Sequence, residues 1–397
     1  MNHSYKSNTE KKRIGSVSDI ASAVLFCSVI ALGGILTAVL PGREVSENEN
    51  RSLMTKTELF SGNFADKLFS GKFKDQAGDF CRDQFPWREE MLELRAVSDM
   101  ALVRYETNAV LYGTDGYLIP RRDYTDIKNV PVNTQAIHAL KSALEAEKIP
   151  TVFAVAPRPA DVLERYYPSG YSSGALSGVR ETIFSAGDGI DLLPVLKAAA
   201  DNGESVYYKT DHHWTAYGAY LAYRTLCPAL GMEPIPAETF QRETVSQSFL
   251  GTSYSKVMTP FAEPDTMEYW HLDDDSFTTE IRNGATFSGF YDRSYLDKKD
   301  KYSSYIGGNN AYVRVTKNSG ENRPTMLLIK DSYAHSMVPY LAQHYDLIII
   351  DPRYYWESAY LLAQECGADC VLILCGTDSL TDSDSFRGLS YLLPEGK

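Results

Sequence analysis

An α/β fold built on a parallel sheet is predicted by three runs of the sequence and by what separates them. Thr325–Lys330 (TMLLIK), Asp346–Asp351 (DLIIID) and Asp369–Cys375 (DCVLILC) are short and continuously apolar, as strands covered on both faces must be. Helical patterning fills His335–His344 and Tyr355–Glu365 between them, and alternation of strand and helix is what the crossovers of a parallel sheet require. Thr151–Ala156 (TVFAVA) reads as a further strand, flanked by helical stretches at Thr134–Lys148 and Asp191–Ala200.

Composition agrees with a globular chain carrying an attachment. With 397 residues, 44% of them apolar and 23% charged, the chain can bury a sizeable core and is neither fibrous nor disordered. Its 39 Lys and Arg against 52 Asp and Glu give a formal net charge of −13, which excludes the electrostatic footprint of a nucleic-acid binder. Of the six cysteines, Cys27 lies in an apolar run, Cys81 and Cys227 stand alone, and Cys366, Cys370 and Cys375 fall near the end. Those spacings form neither a disulfide framework nor a zinc site, and Cys370 and Cys375 read as small buried hydrophobes.

The sharpest compositional break is the uncharged run Ile20–Leu40, long enough to cross a hydrocarbon core as a helix. Lys6, Lys11, Lys12 and Arg13 precede it, so the positive-inside rule keeps residues 1–19 in the cytoplasm and sends the rest out. The run exceeds the usual apolar core of a cleaved signal peptide, the competing reading, and an uncleaved single-pass anchor is expected. Phe26 before Cys27 does not suit lipoprotein processing. Residues 41–108 read as a neck: Arg43–Arg51 is polar, and Phe60, Phe64, Leu68, Phe69, Phe73, Phe80 and Phe85 recur at helical spacing. Residues 109–397 are the α/β domain. It opens with a hairpin turning at Gly113–Gly116, and about 234–323 looks like a loop-rich insertion.

Two constellations carry chemistry. In Thr210-Asp211-His212-His213-Trp214-Thr215, Thr215 suits the N-cap of a following helix, which leaves Asp211 and both histidines on the entering loop. An aspartate two residues from a histidine can fix its tautomer and leave the other ring nitrogen as a base. A polar turn, or a metal site of two histidines and a carboxylate, fits the same spacing. In Lys330-Asp331-Ser332-Tyr333, a serine sits where a predicted strand ends and a helix starts, the edge at which open α/β sheets bind ligands. It suits a nucleophile, although Asp and Ser are also ordinary caps. Together the two supply an alcohol, a base and an orienting acid.

Asp211–Trp214 (DHHW) and Lys330–Tyr333 (KDSY), with Glu49–Arg51 (ENR) and Gly113–Leu118 (GTDGYL), resemble the bacterial DHHW family of SGNH-hydrolase-like proteins. The resemblance covers Val45 to about Leu374 and extends to periplasmic proteins that O-acetylate alginate. It implies an SGNH, flavodoxin-like parallel sheet flanked by helices, and a Ser-His-Asp triad that moves acyl groups on polysaccharides. By position Ser332 matches the nucleophile, His213 the base and Asp211 the orienting acid. The chain departs from the usual SGNH pattern: acid and base precede the serine, and Lys330 stands where glycine is usual. Gly308 and Asn309 are candidates to complete an oxyanion hole, and Gly251–Ser255 holds a rival serine, Ser253. Arg158, just after the TVFAVA strand, is a candidate contact for the sugar.

The expectation is an extracytoplasmic acyltransferase or esterase with a polysaccharide substrate, no cofactor and no metal. A membrane-bound O-acyltransferase would supply the acyl group. A non-catalytic glycan-binding or scaffold subunit is the alternative, and Asp211, His213 and Ser332 lying far apart would favour it. A metal-dependent hydrolase using His212 and His213 would need a third ligand.

Overall fold

The computed structural model describes residues 17–121, 127–171, 177–185, 189–274 and 276–391. The basic residues before the apolar run fall outside them. The chain divides into two compact units, one running to residue 92 except for 48–50, and one comprising 48–50 and 93–397.

In the first unit Val17–Val39 is one helix, and Ser18–Val39 is long and apolar enough to cross a membrane. Three short helices follow, Lys56–Phe60, Phe64–Phe69 and Lys72–Asp83. Thr55 starts the first with a capping box, its hydroxyl accepting from the Glu58 N–H while Glu58 accepts from the Thr55 N–H. Arg51 of the ENR motif forms a two-pronged ion pair with Asp83, at 2.5 and 3.0 Å.

The second unit is organised on an eight-stranded sheet: β1 (Thr151–Ala156), β2 (Gly189–Asp191), β3 (Phe277–Ile281), β4 (Thr286–Ser288), β5 (Tyr312–Lys317), β6 (Thr325–Lys330), β7 (Asp346–Ile350) and β8 (Cys370–Gly376). Their spatial order is β4-β3-β5-β7-β6-β8-β1-β2. From β7 to β2 every pairing is parallel, whereas β4, β3 and β5 add an antiparallel flank. The four apolar runs of the sequence are the four central parallel strands. Alternation divides their side chains between two cores: Met326, Leu328, Leu372 and Leu374 face the layer holding the helix Ala216–Leu226, and Leu327, Ile329, Val371 and Ile373 face the layer holding Asn129–Ala146 and Ala359–Glu365.

Residues 234–323, expected to be loop-rich, also supply strands. Gln241–Phe249 and Asp265–His271 pair as an irregular antiparallel ribbon, and β3, β4 and β5 extend the main sheet. The hairpin near Gly113 is present, with Val110–Tyr112 paired to Leu118–Pro120. One feature of the topology positions the site. β6 lies between β7 and β8, so the chain leaves β6 to one side and returns past it to the other, with the intervening segments on opposite faces. The carboxyl end of β6 is therefore the switch point where open α/β sheets bind ligands.

Candidate active site

β6 ends at Lys330, and Asp331 turns the chain into a 3-10 turn, Ser332–Met337, continued by the short α-helix Val338–Leu341. Sequence patterning suggested one continuous helix there; Pro339, near the N-terminus of the α-helix, suits a fresh start better than an interior position. Asp331 braces the turn by accepting from the Tyr333 N–H (2.9 Å), the Gly376 N–H (2.6 Å) and the Ser379 hydroxyl (2.6 Å). The aspartate is thus the cap, and Ser332 beside it is left partly exposed at the sheet edge.

Asp211, His212 and His213 enter the helix Ala216–Leu226, whose N-cap is Thr215, its hydroxyl accepting from the Gly218 N–H at 3.1 Å. Trp214 fastens this loop to the serine turn: its buried indole N–H reaches the Tyr333 carbonyl and the Ser336 hydroxyl, both at 2.9 Å. Across that junction His213 Nε2 lies 2.8 Å from Ser332 Oγ, and His213 Nδ1 lies 2.6 Å from Asp211 Oδ1. Asp211 Oδ1 also accepts from the His213 backbone N–H, and Oδ2 accepts from the N–H and hydroxyl of Thr252 at 2.7 and 2.9 Å.

The electrostatics follow from these contacts. Burial opposes charge on Asp211, but the neighbouring His213 and His212 rings and the hydrogen bonds from His213 and Thr252 outweigh it, and the carboxyl stays well below the usual carboxylate range. Burial and the adjacent His213 ring push His212 below the ordinary histidine value. Lys330, fully buried, is lowered by burial against the opposing pull of Asp351. Its ammonium meets His335 Nε2 at 2.9 Å and Asp351 at 3.3 Å, and Asp351 is shared with Arg353. Lys330 is thus part of a buried ion network beneath the turn that carries Ser332.

Tyr302, in the segment expected to be loops, completes the site. Its ring lies flat on the His213 imidazole, with centroids 3.8 Å apart and planes within 8°. Its hydroxyl bonds to the Ser332 carbonyl (3.2 Å) and the Ser336 hydroxyl (3.1 Å). Sequence reasoning missed Tyr302 and Thr252. The segment Gly251–Ser255 stands out in the sequence for its serine, but Ser253 is fully buried and its hydroxyl has no hydrogen-bond partner among the described residues, whereas Thr252 holds Asp211.

The remaining candidates sit differently from expectation. Arg158 is buried, its guanidinium paired with Asp161 at 3.0 Å and near Asp378 at 3.8 Å, so its charge is already matched inside the protein rather than presented to a sugar. Gly308 commits its N–H to the Tyr305 carbonyl at 3.1 Å, and Asn309 is exposed, with its side-chain oxygen accepting from Arg353 at 3.1 Å. The oxyanion donor expected at Gly308 is therefore already used in a turn. Asp211, His212 and His213 also have the proximity to hold a metal ion, their ligand atoms lying within 4.8 Å of one another. Both ring nitrogens of His213 are taken by Asp211 and Ser332, however, an arrangement that suits proton transfer better than ligation.

Comparison with known proteins adds a family resemblance. A family model described as DHHW protein matches residues 195–350, the stretch containing Asp211, His213 and Ser332. Over that stretch the chain is similar to the DHHW proteins. A crystal structure of a DHHW family protein from Eubacterium siraeum superposes with a TM-score of 0.60 at 21% identity, covering 73% of this chain and 98% of that one. PatB1 of Bacillus cereus gives 0.59 at 22%, covering 70% and 98%. At such identities the likeness shows the fold, and the fold is the α/β class with a central, mostly parallel sheet flanked by helices that the sequence predicts. Two curated relatives are each named probable alginate O-acetylase AlgJ. The one from Pseudomonas syringae pv. tomato is 26% identical over 221 residues, 52% of this chain and 55% of its own length. The one from Pseudomonas fluorescens is 25% identical over 184 residues, 43% and 46%. The chain thus spans about half the length of the curated relatives it matches.

Proposed function

We propose that this protein is a membrane-anchored, extracytoplasmic O-acyltransferase that moves acetyl groups on a polysaccharide through Ser332, His213 and Asp211. The observation that carries the reading is the unbroken line from Asp211 through His213 to Ser332, at 2.6 and 2.8 Å, ending on a partly exposed serine at the switch point of the sheet. His213 Nε2 takes the serine proton as Oγ attacks the carbonyl carbon of the acyl donor. Collapse of the tetrahedral adduct expels the donor alkoxide, which leaves with that proton, and the acyl group remains on Ser332. A sugar hydroxyl then attacks the acyl-enzyme, passing its proton to His213 and so back to Ser332. Asp211, kept ionised by its surroundings, holds the imidazole with Nδ1 protonated and stabilises the imidazolium. The Ser332 backbone N–H, opening the turn, is a main-chain candidate for the oxyanion.

The names of the curated relatives support a polysaccharide as acceptor, and the helix Val17–Val39 supports attachment to a membrane, where a membrane-bound O-acyltransferase would deliver the acyl group. The test uses the full chain in detergent micelles with a chromogenic acetyl ester. Ser332→Ala is expected to lower kcat/KM by about four orders of magnitude or more, and Ser253→Ala to leave most activity. An active Ser332→Ala protein would overturn the assignment.

A further inference from the structure

His212 is the motif residue for which the triad has no use, and its surroundings fix what it can do. Its ring packs beside that of His213, with centroids 3.8 Å apart, but 31% of its side chain is exposed against 7% for His213. Its Nδ1 lies 2.5 Å from Thr252 Oγ1. The Thr252 hydroxyl has one proton, and Oγ1 is also 2.9 Å from Asp211 Oδ2, a carboxylate that stays ionised. Two oxygens at that distance need a proton between them, so Thr252 donates to Asp211. The short contact to His212 must then be made by a proton on His212 Nδ1, and Asp211 Oδ1, 3.6 Å from the same nitrogen, favours the same tautomer. Burial beside His213 opposes a second proton. His212 therefore presents Nε2, across the ring from Thr252, as a bare acceptor.

Two neighbouring imidazoles thus share one arrangement: each has its Nδ1 proton turned to the Asp211–Thr252 cluster and leaves Nε2 to accept. His213 Nε2 faces the nucleophile and must take the proton of the attacking hydroxyl. That hydroxyl has no second proton for His212. A different hydroxyl, on the carbon next to the attacking one, does.

We propose that His212 Nε2 binds the hydroxyl vicinal to the one being acylated, so that the site selects vicinal diols as acyl acceptors. This rests on the acyltransferase reading above. In the step, the attacking oxygen bonds to the acyl carbon, Ser332 Oγ leaves and recovers the proton through His213, and His212 exchanges none; it only orients.

The experiment offers the full chain a chromogenic acetyl ester with trans-cyclohexane-1,2-diol and cyclohexanol together, and measures the ratio of the two acetylated products. A ratio taken within one reaction does not depend on how much total activity a variant keeps. Wild type is expected to favour the diol beyond its twofold hydroxyl count, and His212→Phe, which retains an aromatic ring beside His213 without an acceptor, to lower the ratio about fivefold or more. His212→Gln, whose side-chain oxygen accepts, is expected to restore part of it. An unchanged ratio in His212→Phe would overturn the proposal. A second readout needs neither turnover nor a His212 variant: in Ser332→Ala protein the imidazole 15N resonance of His212 Nε2 is expected to move on adding the diol and not on adding cyclohexanol, and equal response to both would also overturn it. Absence of any ester turnover in wild type would instead sink the acyltransferase reading, leaving the resonance shift to decide the contact.

Discussion

Gly251→Ala places a methyl group where Asp211 already stands. A Cβ built on Gly251 would lie 2.3 Å from both Cβ and Oδ2 of Asp211, against an ordinary contact near 3.5 Å, so one of the two must move by about 1 Å. Neither is free to do so. Asp211 is held by hydrogen bonds from the His213 N–H, the His213 ring, and the N–H and hydroxyl of Thr252, and Gly251 is tied through its own N–H to the Thr210 hydroxyl at 3.1 Å. If Asp211 orients His213 as proposed, a shift of that size is expected to lower kcat about 100-fold, and the overpacking to cost about 1–3 kcal/mol of stability. Ester hydrolysis measured well below the melting transition, beside a thermal melt of the same sample, separates the two effects. A variant that melts like wild type and turns over within threefold of it would refute the reasoning that Asp211 is fixed by this close approach.

Three further outcomes are expected. Tyr302→Phe keeps the ring on His213 and loses two hydrogen bonds, so kcat should fall a few-fold; Tyr302→Leu also removes the face that stabilises the imidazolium and should cost about another tenfold, with KM little changed, as steady-state kinetics would show. Asp351→Asn takes the carboxylate from buried Lys330 and should destabilise by about 3–5 kcal/mol in denaturant titrations. Lys330 already has a folded-state pKa below its unfolded one, so it binds fewer protons when folded; with Asp351 gone the gap widens, and the variant's stability should climb as pH rises toward the ordinary lysine pKa. For Asp211 the slope has the same sign in a lower pH window: its folded pKa lies below the unfolded value, so its contribution is complete above about pH 4 and is lost as pH falls further, and Asp211→Asn should flatten the acid end of the stability curve.

What could be read from the sequence was what rests on local pattern. TMLLIK, DLIIID, DCVLILC and TVFAVA are continuous apolar runs because those strands are covered on both faces, and each appears as a central strand. β3 and β5 alternate buried with more exposed residues and lie in the antiparallel flank, so FTTEI and YVRVTK look like polar connecting chain. DHHW and KDSY named the residues that the structure brings together, since a loop entering a helix and a strand-to-helix junction are local features. The partners that hold them are not local. Tyr302 is 89 positions beyond His213, and Thr252 reaches Asp211 only through the packing of its loop. Gly308 and Asn309 are candidates only for the glycine and asparagine that the family resemblance implies at an oxyanion hole, and the positive φ of Gly308 and its bond to Tyr305 belong to a turn.

The central claim, that Ser332 is a nucleophile activated by His213, is tested most directly by locating a covalent adduct. The full chain, treated with a sulfonyl fluoride and digested, is expected to carry the added mass on the peptide containing Ser332; Ser332→Ala should lose it and His213→Ala should form it far more slowly. Because the triad acts as a unit, His213→Ala should also cost little further activity once Ser332 is alanine. Mass on Ser253, or labelling of Ser332 at an undiminished rate without His213, would contradict the account.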